Sequence, residues 1–444
     1  MSAPTEIRVA IIGPGRHGRD LINYALDIPG VRFQAVCDIW PYNRKYAAGL
    51  LKKRGHPATA YEDYRDLLAT EKGLDAAIIA TPDSFHADQT VACLEAGLHV
   101  YCEKEMHHTL AGARRMVLAA QRTKKLLQIG RQHRSNPRYF TALDFLNAKK
   151  AVGRITHVYG QWHGHKRVPY TWPKALEIPV ETLVKYGYES MDEHRNWRWR
   201  EKFSAGEIAN LASHQIDVFN WFLGALPKAV MASGGLDYCT QYELYDNATC
   251  LFDWDYAWQG VTRTVRGMHV TLTTTDDGGF YEAFMGDEGV LGISEDTAKG
   301  GIFREAQALT GAWEKDLSGL VISCSGCDPR SIPPNSYCWL RHWLSYGLPP
   351  QSNRECCLSH RYTAPSLPRY PPIPSPPNDR PPHWHHLKNF FDAVRGDARL
   401  NCPAEVGYQT AVVVFRAIEA MRAGRKLTLA PEDFVVAEKV PSQG

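Results

Sequence analysis

No uninterrupted apolar run in this 444-residue chain reaches the length needed to cross a bilayer, which argues against a membrane-spanning helix. The opening residues, MSAPTEIRVAIIG, lack the apolar core and cleavage site of a secretory leader, so a cytoplasmic location is expected. Neither charge sign dominates: 51 Lys and Arg against 48 Asp and Glu leave a formal +3, which supplies no basic stripe for nucleic acid or a membrane surface. Nor do the eleven cysteines form a disulfide framework. They are scattered, and Cys37, Cys93, Cys102 and Cys250 fall in apolar runs, as reduced buried side chains do. Cys324 and Cys327, followed by Cys338, Cys356, Cys357 and His360, are residue types that bind zinc, but the second half lacks regular ligand spacing. No metal is therefore expected. The chain also has no internal repeat.

What is present begins at Ile7, where IRVAIIGPGRHG sets an apolar strand directly before a glycine-spaced turn. Gly13, Gly15 and Gly18 have the G-x-G-x-x-G spacing that serves a tight turn, backbone approach to a pyrophosphate, and close packing of the next helix. Arg16 and His17 lie within that turn, at a helix N-terminus whose unpaired N–H groups attract phosphate. A second apolar run, Phe33 to Cys37, ends at Asp38. A carboxylate there accepts hydrogen bonds from ribose hydroxyls and repels a 2'-phosphate. These residues predict a dinucleotide site that prefers NAD to NADP. Arg44 is the nearby group able to swing toward a 2'-phosphate.

Apolar strands and amphipathic helices alternate as far as Ile129, which predicts a doubly wound parallel sheet in a first domain, residues 1–132. A helix from Pro137 to Lys149 follows. Runs rich in valine, tyrosine and tryptophan then span Ile155–Trp162, Ala229–Gly234, Ala248–Trp254 and Gly260–Thr274. They predict a second, α+β domain over residues 133–444, built on a large, open, mostly antiparallel sheet with one solvated or partner-covered face. Nine prolines between Pro365 and Pro382 read as a stiff polyproline II strap or a partner-recruiting segment. Two amphipathic helices, closed by Gly396 and Gly424, end the pattern. The fold class expected is α/β.

Two segments have side chains suited to chemistry. The strand His99–Cys102 runs into Glu103-Lys104-Glu105, which puts Lys104 on the ligand-binding edge of the predicted sheet. An ammonium there can bond a substrate hydroxyl and stabilise alkoxide character. Residues 206–224 read as one helix with Asn210, His214, Asp217 and Trp221 in a single stripe. His214 is a natural base for an alcohol proton, Asp217 is placed to orient it, and Asn210 is placed to bond the same substrate.

Together these pieces resemble the glucose-fructose oxidoreductase, inositol dehydrogenase and MocA (Gfo/Idh/MocA) family. The matching segments are GPGRHG at 13–18, CDIWPYN at 37–43, ATPDSFH at 80–86, EKE at 103–105, GRQHRSNPRY at 130–139, the 206–224 helix and CPAEVGYQTAVVV at 402–414. The resemblance implies a Rossmann domain with NAD(P) and a second domain bearing the substrate pocket and an oligomer interface, as a dimer or tetramer. It implies Lys104 and His214 as the catalytic pair, and Thr81, Pro82, His86 and Glu103 beside the cofactor. Arg134 is implied to reach toward a sugar, sugar acid, inositol or glycoside. Two departures stand out: the family's Glu-Lys-Pro is Glu-Lys-Glu here, and its Asp one turn before the histidine is Asn210, which cannot take up a proton.

Between Trp162 and Trp199 lie Trp162, His163, His165, Tyr170, Trp172, Tyr186, Tyr188, His194, Arg195, Trp197 and Trp199. Aromatic faces stack on pyranose rings, which makes Trp197 a substrate-binding candidate, but an oligomer interface uses the same residue types. Three functions fit the sequence. The first is an NAD-dependent oxidoreductase acting on a carbohydrate CH–OH. The second is a redox glycosidase that oxidises, eliminates, hydrates and reduces with its cofactor recycled. The third is an NAD-binding sensor without turnover.

Overall fold

Val9–Ile12, Ala76–Ile79 and Val100–Cys102 are continuous apolar runs in which every side chain is buried, as a strand covered on both faces requires. In the computed structural model they form the centre of a six-stranded, all-parallel sheet ordered Thr59–Tyr61, Val31–Cys37, Ile7–Ile12, Ala76–Ile79, His99–Glu103, Leu127–Gly130. The structure describes residues 6–164, 168–305, 307–315, 369–370, 373, 375–376 and 379–437. The strands are β1 (Ile7–Ile12), β2 (Val31–Cys37), β3 (Thr59–Tyr61), β4 (Ala76–Ile79), β5 (His99–Glu103) and β6 (Leu127–Gly130). Between them run α1 (Arg16–Leu26), α2 (Pro41–Lys53), α3 (Tyr64–Thr70), α4 (Asp83–Glu95) and α5 (Leu110–Thr123). Strand order reverses between β1 and β4, which opens a crevice at their carboxyl ends.

The second layer contains α6 (Pro137–Asn147), β7 (Ile155–His163), α7 (Val180–Lys185), α8 (Met191–Arg195) and α9 (Ser213–Leu223). Its strands continue with β8 (Pro227–Gly235), β9 (Asn247–Trp258), β10 (Val261–Leu272), β11 (Phe280–Gly286), β12 (Gly289–Ile293), β13 (Gly301–Arg304), β14 (Arg369–Tyr370) and β15 (Leu427–Thr428). Among the described residues these make a nine-stranded sheet, antiparallel except where β10 runs parallel to β7. Strand β9 shows why the sheet is one-sided. Ala248, Cys250, Phe252, Trp254 and Tyr256 are buried, while Thr249, Leu251, Asp255 and Ala257 are exposed.

Three features depart from the linear reading. Helix α10 (Pro382–Arg395) returns to the first sheet, and its Leu387, Phe390 and Phe391 join the buried cluster of Val9, Ile11, Phe33 and Ile78. The first domain's core therefore does not end at residue 132. Helix α11 (Ala404–Ala423) packs on α5, α9 and β8, so it ties the layers together. The aromatic segment forms a strap across the first domain: Ile178, Leu183, Tyr188, Met191 and Phe203 bury Trp40, and Trp40 Nε1 donates to Leu176 O at 2.5 Å. Cys324 to His360 and most of the proline segment lie outside the described residues. No helix of the described residues is long and apolar enough to cross a membrane.

Candidate active site

The loops after β1, β2, β4, β5 and β6 meet at one edge of the parallel sheet, and the candidate residues gather there because of that topology. Gly13 has φ +85°, and a Cβ on Gly18 would lie 2.3 Å from Gly13 O, so the turn closes only with glycine at both positions. Gly15 faces open space. No side chain caps α1, and its first turn carries no acidic residue, so its N–H groups are available to an anion. This cradle fits a diphosphate.

Asp38 follows β2, with Oδ1 accepting from Trp40 N at 2.8 Å and Oδ2 from Asn43 Nδ2 at 2.9 Å. Burial pushes its carboxyl up to about 6, even though Trp40, Asn43, Arg44 and Arg19 favour the anion. Arg44 does not swing free. Its Nη1 donates to Asp38 O at 2.6 Å and Ile39 O at 3.1 Å, and its guanidinium faces Glu62 at 3.6 Å. Of the other expected cofactor contacts, Thr81 Oγ1 donates to Gln89 Oε1 at 2.6 Å, and Pro82 forms the N-cap of α4. His86 is anchored between the loops after β4 and β5. It is fully buried, with Nδ1 2.7 Å from Glu105 O and Nε2 2.8 Å from Thr81 O.

Lys104 leaves β5 through a cis Lys104–Glu105 peptide, and its Nζ donates to Asn210 O at 2.5 Å. Burial and the nearby Arg198 lower the Lys104 pKa, against the pull of Asp83, Glu103 and Glu105. Asp83 is the reciprocal case: burial pushes it up to about 7, although Lys104 and Arg198 favour its anion. Glu105, where the family has proline, pairs with buried Arg131.

The predicted single helix over 206–224 is two segments, a π-helical turn at Ile208–Ala212 and then α9. Such turns recur at functional sites because they reorient groups out of the regular ladder. Here the Asn210 carbonyl meets Lys104, and the Asn210 side chain donates to Ser204 Oγ at 3.1 Å. Asn210 thus meets Lys104 through its backbone, while its side-chain amide is turned to Ser204. His214 is buried, stacked on Trp162 at 5.7 Å and tilted against His133 at 5.2 Å, with no hydrogen-bond partner at Nδ1. Burial first, then Lys104, His133, Arg131 and His383, hold its pKa well below the ordinary imidazole value. It is a neutral acceptor.

Asp217 does not orient His214. Its carboxylate takes Arg134 Nε at 2.7 Å, Arg134 Nη2 at 3.1 Å and Thr410 Oγ1 at 2.7 Å. In this structure the Arg134 guanidinium is paired with Asp217 and lies 5.4 Å from the Trp221 ring. The physical reason is burial: a carboxylate with 1% of its side chain exposed needs a cation. Trp197 packs on the strap's apolar cluster beside Trp40, with Arg198 4.4 Å from its ring.

Sequence reasoning missed three contributors. His133 pairs with Glu295 at 3.1 Å; burial opposes its charge, but Glu295, with Glu282 and Asp217, more than offsets burial and keeps His133 above its ordinary value. Glu295 is held at about 2: burial works against the anion, and His133, His383 and Gln132 more than offset it. His383 enters from the first turn of α10. The GRQHRSNPRY motif contained His133, but no local signal connects it to position 295 or 383.

Residues 7–131 match the family model described as "Oxidoreductase family, NAD-binding Rossmann fold", and residues 140–276 match the "GFO/IDH/MocA C-terminal domain". Inositol 2-dehydrogenase of Salmonella typhimurium is 30% identical over 227 residues, covering 50% of this chain and 56% of that protein. The chain thus spans little more than half the length of that curated relative. A glycosyl hydrolase family 109 protein of Stenotrophomonas maltophilia is 36% identical over 104 residues, 22% of this chain and 23% of that one. The WlbA dehydrogenase of Bordetella pertussis, solved with NADH and UDP-GlcNAcA, superimposes with a TM-score of 0.66 at 18% identity, covering 97% of this chain and 99% of that one. That likeness is one of fold.

Proposed function

The chain belongs to the Gfo/Idh/MocA oxidoreductase family, and on that premise we propose that it interconverts a CH–OH and a carbonyl in a sugar or sugar derivative, with NAD as partner. The observation that carries the reading is Lys104, held on Asn210 O at the mouth of the crevice and close enough to His214 to depress its pKa. Gly13, Gly15, Gly18 and the first turn of α1 would hold the diphosphate, and Asp38 the ribose, with Arg44 occupied elsewhere. Bound there, NAD would accept the hydride, or NADH return it.

The chain's own groups manage the proton. The Lys104 ammonium bonds the substrate oxygen and favours its anionic form, in a site where low exposure strengthens the interaction. Neutral His214 takes the hydroxyl proton in the oxidative direction and returns it in the reverse. Trp162, stacked on His214 and 4.6 Å from Phe280, offers an apolar face for a sugar ring. The names of the relatives, an inositol dehydrogenase and a WlbA dehydrogenase solved with a nucleotide sugar, support a polyhydroxylated substrate.

The likeness to a glycosyl hydrolase family 109 protein favours one second reading, a redox-neutral glycosidase with the same Lys104 and His214. One experiment separates the two. The purified chain is incubated with NAD and a panel of inositols, sugars, sugar acids and aryl glycosides, while NADH absorbance and aglycone release are followed together. NADH appearing with one substrate supports the dehydrogenase, and NAD-dependent aglycone release without net NADH supports the glycosidase. Inertness to the whole panel, with NAD bound, would favour a sensor.

A further inference from the structure

The geometry points to a metal site on the same edge: His17, Glu103 and His383 form a cage for one divalent transition-metal ion of the zinc type, against the expectation of none. One ligating atom from each residue lies within 4.8 Å of the other two. His17 Nε2 is 3.1 Å from Glu103 Oε1, and the two imidazole rings are 5.1 Å apart at 71°. The ligands are borne by three packed elements, the first turn of α1, the end of β5 and the first turn of α10.

The carboxylate is built in from behind. A Cβ at position 130 would stand 2.7 Å from Glu103 Oε1, so Gly130 leaves the space that the carboxylate fills. Tyr101 OH donates to Glu103 Oε1 at 3.2 Å, the kind of outer contact that orients a metal ligand. Glu103 has only 7% of its side chain exposed, whereas an adventitious surface chelate has no such support.

Two imidazole nitrogens and one carboxylate oxygen suit borderline dications and leave open positions for water or a phosphate oxygen. The Lys104 ammonium beside the cage opposes a dication and tempers its affinity.

The test is a titration of the purified, metal-stripped full chain with Co2+ alone, read by d–d absorption and metal content, and then by displacement with Zn2+. One Co2+ per chain is expected. His383→Asn and His17→Asn should each weaken it by about tenfold or more, with metal-free melting unchanged, and Cys324→Ser/Cys327→Ser should leave it intact. Failure to bind Co2+, or equal binding by His383→Asn, would overturn the site. A thiolate charge-transfer band lost in the cysteine variant would also overturn it, since it would move the ion to Cys324 and Cys327. Because the readout is metal binding, a negative result here leaves the proposed oxidoreductase activity standing.

Discussion

Lys104 Nζ and the backbone carbonyl of Asn210 are 2.5 Å apart, a contact that fastens the end of β5 to the π-turn ahead of α9. It couples the two halves of the proposed site, since the same turn sets where His214 begins its helix. The Asn210 side chain can depart from the family's aspartate without loss of this contact, because the backbone makes it.

Lys104→Ala should lower kcat by on the order of 10² to 10⁴-fold and leave NAD affinity within severalfold. Steady-state kinetics with the identified substrate, beside a fluorescence titration of NAD, separates these effects. Turnover at the wild-type rate would remove Lys104 from the chemistry.

His214 should titrate below its ordinary value of 6.5, because burial, followed by Lys104 and His133, disfavours the imidazolium. The active form of a base is the neutral one. Any limb of kcat/KM that belongs to His214 therefore lies on the acid side of 6.5, and activity persists as pH falls through that value. Imidazole NMR in the wild type and in Lys104→Met measures it directly. The variant's His214 pKa should rise, because one depressing charge is gone, and a value unmoved or lower would contradict the coupling.

Arg134→Ala should cost about 3–5 kcal/mol of stability, since it strands a buried carboxylate. Asp217 is held below its ordinary value of 3.8: burial opposes the anion, but Arg134, Arg131 and Thr410 outweigh it. Its contribution is therefore present above that value and is lost as pH falls toward the depressed folded pKa. Thermal melts of the wild type, Arg134→Ala and Arg134→Met/Asp217→Leu between neutral and acid pH test this. The double variant should recover much of the loss at neutral pH. A raised KM with unchanged melting would return Arg134 to the substrate.

Asp38→Ser should narrow the preference for NAD over NADP by on the order of tenfold or more, by removing a carboxylate that meets the ribose. Arg44→Ala should change that ratio little, because Arg44 is bonded to Asp38 O and Ile39 O. The ratio of kcat/KM with the two cofactors is the measurement. A large fall in NADP use on Arg44→Ala would contradict the assignment.

Much of the first sheet was legible because its signals are local. Short apolar runs, Val9–Ile12, Ala76–Ile79 and Val100–Cys102, mark β1, β4 and β5, glycine spacing marks the turn before α1, and Gly396 and Gly424 close their helices with φ +88° and +60°. The π-turn was not legible: Gly206 to Gly224 has ordinary helical periodicity, and what widens one turn there is set by contacts with Ser204 and Lys104. The aromatic segment was readable as sticky but not as a strap, because Trp40, the ring it covers, lies more than a hundred positions away.

By itself, the sequence determined that this chain makes a dinucleotide cradle, a parallel sheet with a lysine at its carboxyl edge, and a second, mostly antiparallel sheet. Those are properties of neighbouring residues and short periods. Only the tertiary structure decided which charges meet. Burial in the packed fold forced Asp217 onto Arg134, left His214 without a carboxylate partner, and brought His17, Glu103 and His383 within 4.8 Å of one another. No periodicity spans 366 positions from His17 to His383, and the cost of burying a charge exists only once the chain has folded around it.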